Sequence, residues 1–493
     1  MKPSVLQQLI LYRYRYWLAY SVLIAGTVFL LTFGLTRVAP GISAAGRQSV
    51  MTSYYWAWPH LRSGFDAVSL PYILLQKASV SLLGLSVLAD RLPGVLIGLV
   101  TTFLFFLFMR ELHKPHVSVL ATVLFATSDW FLAIARRGTP VSMIPLVWIL
   151  VFYSALQLMR LKESLVWGAF FGFAMVLALY TPYGIWAVVA GLLTLLIHPE
   201  IRRRVSVFPG PSRALGILIF VVLLLPLSWS LYKDPSQAWE LAGLSSHLPH
   251  ITTFLNNIWQ TLRAITWYAP IDNAYRLDHL PLLDIGSLAL LIAGLYQIVR
   301  DRHSVRTQLL GVSLILILIV TNLNPMTHDY ALYLIPVFII MASGITVLVN
   351  HWYSLFPRNP YARTFGLIPI ALLFLFIVNY HYERYFVAWA NAPATYGVYS
   401  NDLTLVNEQI KEHPNLLIIS QPQNVSFYTI LSRTHPGVQV VTSTSSAPSG
   451  PFLLDNGLNP LPSFPGDTYT PIVNDDIHGA LRFWLIQPTP KES

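Results

Sequence analysis

The sequence contains no cysteine, which excludes disulfide staples, thiolate metal centres and a cysteine nucleophile while leaving the redox compartment open. It is also short of charge. Asp, Glu, Lys and Arg make up 11% of the residues, where a soluble globular chain carries about 25%. With 55% hydrophobic residues and a mean hydropathy of +0.56, so few charges could not cover a water-facing surface. Length alone would suggest about three soluble domains for 493 residues, and composition excludes that division.

What is present instead is a series of apolar runs near the ~20 residues needed to cross a bilayer. Eleven occur, near residues 17–35, 92–109, 117–134, 141–159, 165–179, 184–197, 214–231, 285–299, 309–321, 330–349 and 365–380. Backbone polar groups in hydrocarbon must be satisfied within their own segment, so each run predicts a helix. The stretch 165–197 reads as a hairpin turning at Tyr180-Thr181-Pro182-Tyr183, because Arg160 and Lys162 precede it while Arg202, Arg203 and Arg204 follow it. Basic flanks belong on the cytoplasmic side, so two crossings are required. The same rule orients all eleven spans with the N-terminus inside and the C-terminus outside. The first run, preceded by Lys2, Arg13 and Arg15, is longer than a signal-peptide core and predicts an uncleaved anchor rather than cleavage near Ser43-Ala44-Ala45.

Residues 1–380 therefore read as a transmembrane domain with large outer loops at 36–91 and 232–284. In the first loop, 69–85 has the pattern of a helix lying in the membrane interface. Residues 381–493 lose the long apolar runs and read as a small extracytoplasmic α/β domain, with a helix at 401–412 and strands at 416–420, 438–442 and 481–486. The fold class is mainly α, a polytopic helical bundle with that appended domain. The formal charge of +9 does not indicate nucleic acid. The tail is net acidic, and much of the basic excess lies in cytoplasmic loops, where orientation and lipid contact account for it.

Nine carboxylates fall near the outer face: Asp66, Asp90, Asp129, Asp234, Glu240, Asp272, Asp278, Asp284 and Asp329. A carboxylate in a cleft between outer loops and bundle has the placement of a general base. Arg91-Leu92-Pro93-Gly94, with Pro71-Tyr72 before it and Arg110-Glu111-Leu112 after it, resembles the GT-C superfamily of membrane glycosyltransferases, specifically the branch of protein O-mannosyltransferases and lipid A aminoarabinose transferases. Further likenesses are Ser128-Asp129-Trp130 leading to Arg136-Arg137, the stretch Asp278-His279-Leu280-Pro281-Leu282-Leu283-Asp284, and His328-Asp329-Tyr330 followed by Leu334-Ile335-Pro336. Together they cover roughly residues 5 to 350.

The resemblance implies a GT-C-like bundle that transfers a sugar from a polyprenyl-phosphate carrier to a lipid, glycan or protein acceptor at the extracytoplasmic face of the cytoplasmic membrane. It implies that Arg136 and Arg137 contact the lipid phosphate, with His279 and His328 nearby. A divalent metal is implied by analogy alone, for no metal-ligand motif occurs in the sequence.

The chain departs from the family pattern in its acids. Where relatives carry an acidic residue in the first outer loop, it reads Gly41-Ile42-Ser43-Ala44-Ala45-Gly46-Arg47-Gln48, and Gly138-Thr139-Pro140 replaces the second acidic position. Substitute catalytic residues are then Asp66, in the same loop, and Asp129, near the outer end of an apolar span where an ionisable group is costly. Two other readings follow from those departures and from the bundle itself: a catalytically silent relative that binds lipid-linked glycan or scaffolds envelope assembly, and a transporter. The absence of an internal repeat weighs against the transporter.

Overall fold

A computed structural model describes residues 15–56, 66–160, 165–199, 202–203, 210–245, 247–269, 277–324, 330–355, 365, 367–443, 450–458, 468–473 and 481–487. All eleven apolar runs are helical. In chain order the bundle contains α1 (Arg15–Thr32), α2 (Ala44–Tyr55), α3 (Leu70–Leu83), α4 (Val87–Leu112), α5 (Pro115–Thr127), α6 (Asp129–Ala135), α7 (Met143–Arg160), α8 (Leu165–Tyr180), α9 (Ile185–Ile197) and α10 (Gly210–Lys233). It continues through α11 (Gln237–Ala242), α12 (Ile251–Thr266), α13 (Ile285–Arg300), α14 (Val305–Leu323), α15 (Ala331–Leu355) and α16 (Leu367–Tyr382). Among the described residues five helices are long and apolar enough to cross a membrane alone, and α5 with α6 makes six if the bent pair is counted as one span.

The turn between α8 and α9 falls where the sequence places it. Tyr183 takes a left-handed backbone with φ +62° and donates its N–H to the Leu241 carbonyl. The third run is not one straight span. It breaks at Ser128 and bends by 61°. Ser128 leaves helical geometry while its N–H still reaches the Leu124 carbonyl, and Asp129 then sits in the first turn of α6, where a carboxylate suits the helix dipole.

Helices pack closely where side chains are smallest. A methyl group added at Gly344 of α15 would lie 2.0 Å from the Leu290 carbonyl oxygen of α13, a backbone approach that only glycine permits. The main core lies around Phe125, Trp130, Phe131, Trp148 and Phe338, all fully buried. By contrast Leu218, Val222 and Leu225 of α10 are exposed, as expected for side chains facing lipid. α3 is apolar on both faces: Tyr72, Ile73 and Val80 pack against the protein together with the polar Gln76 and Ser79, while Leu74, Leu75, Leu82 and Leu83 face outward. That outward face is the one required of a helix lying against lipid tails.

From α16 the chain passes through a π-helical turn (Glu383–Trp389) and α17 (Pro393–Val398) into the C-terminal unit. The short strands β1 (Ile42–Ser43) and β2 (Tyr399–Ser400) pair antiparallel and tie this unit to the stretch after α1. α18 (Asp402–Glu412), β3 (Leu417–Ile419), α19 (Pro422–Thr434), β4 (Gln439–Val441), β5 (Phe452–Asp455), β6 (Thr468–Val473) and β7 (Leu481–Gln487) complete it. The sheet order is β4-β3-β5-β7-β6, with β3 parallel to both β4 and β5 and the remaining pairs antiparallel. Leu403, Val406 and Leu431 of this unit share a core with Val80, Leu85 and Val87 of the bundle. The unit therefore seats on one end of the bundle, hereafter the head end, with the opposite end the foot.

Candidate functional site

The charged side chains of the head end are held by the irregular backbone between helices. α1 ends with carbonyl groups that have no intrahelical partner. Arg136, at the C-terminus of α6, donates from Nη1 to the Leu30 carbonyl (2.6 Å) and from Nη2 to the Phe33 carbonyl (2.7 Å). Tyr385 and Phe386 of the π-helical turn lie against its guanidinium, with ring centroids at 5.4 and 5.0 Å. Arg91, in the first turns of α4, makes four such bonds, to the carbonyls of Leu35, Val38, Ala39 and Gly41 at 2.6–2.8 Å. Both arginines are almost wholly buried. A planar five-donor fork suits clustered carbonyls in a way that ammonium does not. Arg91→Lys is therefore expected to lower stability by about 2 kcal/mol, read as an earlier thermal transition in detergent.

Asp90 sits between the two stretches that lack the implied acids, touching Gly46 in one and Gly138 in the other. Gln76 Nε2 donates to Asp90 Oδ1 (3.0 Å) and to the Gly138 carbonyl (3.3 Å), while Ser49 and Ser53 donate to Gln76 Oε1 at 2.6 and 2.7 Å. A Cβ added at Gly138, where φ is +75°, would lie 2.2 Å from Asp90 Oδ2, and one added at Gly46 would lie 3.3 Å from it. The carboxylate thus occupies the space that side chains on both loops would need. Asp90 is fully buried, and among the described residues its Oδ2 has no hydrogen-bond partner. Sequence reasoning placed Asp90 among the outer carboxylates without singling it out. The signal in the sequence is indirect, its place beside Arg91, since its contacts with Gly46 and Gly138 come from distant parts of the chain.

The residues singled out from sequence are dispersed around this group. Asp129 is buried and pairs with Arg384, Oδ2 lying 3.0 Å from Nε. Arg384 also donates from Nη2 to the Pro281 carbonyl (2.6 Å). Arg136, implied at a lipid phosphate, has both terminal nitrogens on main-chain carbonyls at the end of α1. Arg137 is only partly buried, and its charge acts on the Tyr399 hydroxyl. Burial pushes that hydroxyl up to about 12, with Arg137 and Arg91 pulling the other way. Asp66 is not brought to the arginines. Its Oδ1 accepts the Val68 N–H at 2.8 Å, and its charged neighbours are Asp234 and Glu240. Burial raises the pKa of Asp66 and of Glu240, and their mutual repulsion adds to the shift at Glu240.

His279 is exposed on the loop before α13, stacked on Tyr268 with ring centroids 4.6 Å apart and with Nδ1 3.0 Å from the Ala269 carbonyl. His328 lies outside the described residues. Asp284, the N-cap of α13, accepts the Ser287 N–H (3.0 Å) and lies 2.9 Å from His381 Nε2. Burial would raise its pKa, but the His381 hydrogen bond and charge and the two Ser287 hydrogen bonds outweigh that and hold it at about 2. A depressed carboxylate contributes stability above its unfolded pKa and loses it as pH falls through the folded value. The wild type is therefore expected to lose about 2 kcal/mol between about pH 4 and 2 through this group, and Asp284→Asn to lack that component, as measured by thermal unfolding across the window. Among the described residues no three His, Asp or Glu side chains converge in a metal-binding set.

Comparison with known proteins bears on the whole fold. Residues 70–229 match the family model described as dolichyl-phosphate-mannose-protein mannosyltransferase. The fold is similar to that of ArnT from Cupriavidus metallidurans bound to undecaprenyl phosphate, with TM-score 0.57 and 12% identity over 96% of this chain and 98% of that one. The apo form of the same protein gives TM-score 0.56 and 13% identity over 96% and 99%. The archaeal oligosaccharyltransferase AglB from Archaeoglobus fulgidus, in complex with an inhibitory peptide and a dolichol-phosphate, gives 0.52 and 12% over 89% of this chain and 65% of that one. No curated protein matches by sequence. The chain is an integral membrane protein with a GT-C fold.

Proposed function

We propose that this chain is a membrane glycosyltransferase that takes a sugar from a polyprenyl-phosphate carrier and transfers it to an envelope acceptor, with the head end and residues 381–493 on the extracytoplasmic side. The observation that carries the reading is the likeness of fold along nearly the full length of both chains to a protein holding undecaprenyl phosphate. The match of residues 70–229, which include Asp90, Arg91, Asp129, Arg136 and Arg137, supports it.

In this reading Asp90, rather than Asp66 or Asp129, supplies the carboxylate. The acceptor hydroxyl gives its proton to Asp90 Oδ2 as its oxygen attacks the anomeric carbon, and the bond from that carbon to the carrier phosphate breaks with its electrons leaving on the phosphate. Access to Oδ2 requires the turn at Gly138 to lift, since that residue covers it. Arg137, partly exposed beside the committed Arg136, is the cation assigned to the departing phosphate, and its positive charge stabilises the charge that develops there. His279, exposed beside Tyr268, and His328 are assigned to substrate contact on the strength of the resemblance.

A second reading has an observation of its own. Neither loop stretch where a carboxylate is implied, 41–48 or 138–140, carries one, and Asp90 is sealed from solvent. Both facts suit a silent relative that binds lipid-linked glycan without turning it over. Purified protein supplied with radiolabelled polyprenyl-phosphate sugars and envelope acceptors separates the two. Transfer supports the enzyme, and saturable carrier binding without transfer supports the binder. Protease access to residues 232–284 from the cytoplasmic side would overturn both.

A further inference from the structure

At the foot of the bundle, away from Asp90 and its neighbours, a cavity of about 310 Å³ opens between the C-terminus of α4, the start of α5, the α13–α14 junction and α15. That is many times the ~30 Å³ share of one water, so the space is of ligand size. Its polar wall carries the bases Lys114 and Arg306, the carboxylate of Asp301, and His113, His116 and Thr346 among its uncharged groups.

The arrangement of Arg306 is unusual for a half-buried cation. Nη1 faces His113 Nε2 at 3.4 Å, and among the described residues it forms no ion pair. The neighbouring carboxylate of Asp301 accepts instead from Gln297 Nε2 at 2.6 Å. His113 is bound on its other side. Nδ1 lies 3.0 Å from Thr346 Oγ1, whose hydroxyl proton goes to the Ala342 carbonyl at 3.0 Å. With that proton committed, Nδ1 must be the donor, which leaves Nε2 as a lone pair turned toward the guanidinium. Burial, with Arg306 adding to it, holds the imidazole down to about 3, so His113 is neutral at every physiological pH. It orients Arg306 without adding or cancelling charge.

Lys114 supplies the second cation. It is the N-cap of the 13-residue α5, no side chain caps that terminus, and His116 and Val117 of the first turn line the same cavity, next to the positive end of the helix dipole. Two cations, an uncapped helix start and a neutral imidazole anchor, against the single carboxylate of Asp301 held by Gln297, form a cradle for a multiply charged oxyanion.

We propose that this foot cavity binds a phosphate-bearing ligand, supplied either by the headgroup of an anionic phospholipid in the adjoining leaflet or by a soluble phosphate compound. The inference does not depend on the transfer reaction.

Full-length protein purified in a neutral detergent is titrated with short-chain phosphatidylglycerol, with phosphatidylcholine of equal chain length as the control and inorganic phosphate as a competitor. Phosphatidylglycerol is expected to bind at least tenfold more tightly than phosphatidylcholine, and Lys114→Gln with Arg306→Gln is expected to remove that preference while the melting temperature changes little. Should the double variant fail to fold, Lys114→Glu alone, at an exposed position, is expected to lower the preference at least threefold. Displacement of the lipid by millimolar inorganic phosphate supports the soluble source, and lipid binding indifferent to phosphate supports the headgroup. Equal binding of the two lipids by the wild type, or an unchanged preference in the folded variants, overturns the proposal.

Discussion

Arg384→Leu is expected to destabilise the protein by about 3–5 kcal/mol, because it leaves the Asp129 carboxylate buried without its counterion. The pair is closed from water on both sides. Asp129 comes from the break between α5 and α6, and Arg384 from the π-helical turn that leads out of the bundle, so the interaction joins the first third of the chain to the beginning of its C-terminal unit. Removing both charges is a different matter. Burying two ions costs nearly as much as their attraction returns, so Asp129→Asn combined with Arg384→Leu is expected to recover most of the lost stability. Thermal unfolding of the two single variants and the double variant forms the cycle. A double variant as unstable as Arg384→Leu would show that the arginine acts mainly through its bond to the Pro281 carbonyl.

The same cycle addresses what an acidic residue does inside an apolar run. From sequence, Asp129 reads as a substitute base because an ionisable group at that depth is costly and tends to be functional. The structure supplies another reason for the cost to be tolerated, a buried counterion more than 250 positions away, which no local pattern could show. A folded double variant that retained sugar transfer would assign Asp129 to architecture alone.

The helices are legible because hydrocarbon leaves the backbone few alternatives, and every apolar run is helical, the third as the bent pair α5 and α6. The break at Ser128 has a local signal: a serine and an aspartate inside an otherwise apolar run provide a turn and a first-turn acid. In the C-terminal unit the expected strands at 416–420, 438–442 and 481–486 correspond to β3, β4 and β7. The strand β6 escaped notice because Pro471 lowers its strand pattern, and a proline is tolerated there because β6 lies at the edge of the sheet. α19 was missed for a related reason, since its valine, threonine and aromatic residues do not mark a helix and only Pro422 in the first turn does. The arginines were noticed, but their partners were not. Arg91 and Arg136 bind main-chain carbonyls, and a carbonyl leaves no trace in the residue types that present it.

Asp90→Asn is expected to lower kcat/KM for sugar transfer by about 10²- to 10⁴-fold while leaving polyprenyl phosphate binding within about twofold of wild type. The substitution is nearly isosteric, and the amide oxygen can still accept the Gln76 hydrogen bond, so the Ser49–Ser53–Gln76 network keeps its anchor. What is lost is the ability of Oδ2 to take a proton. Asp66→Asn provides the contrast. Asp66 belongs with Asp234 and Glu240, so its loss is expected to leave transfer unchanged. A fall in activity at Asp66 with full activity at Asp90 would return the catalytic role to the residue favoured by loop position. Full activity in both variants would remove Asp90 from the chemistry and leave its buried carboxylate as a spacer that holds the Gly46 and Gly138 stretches apart.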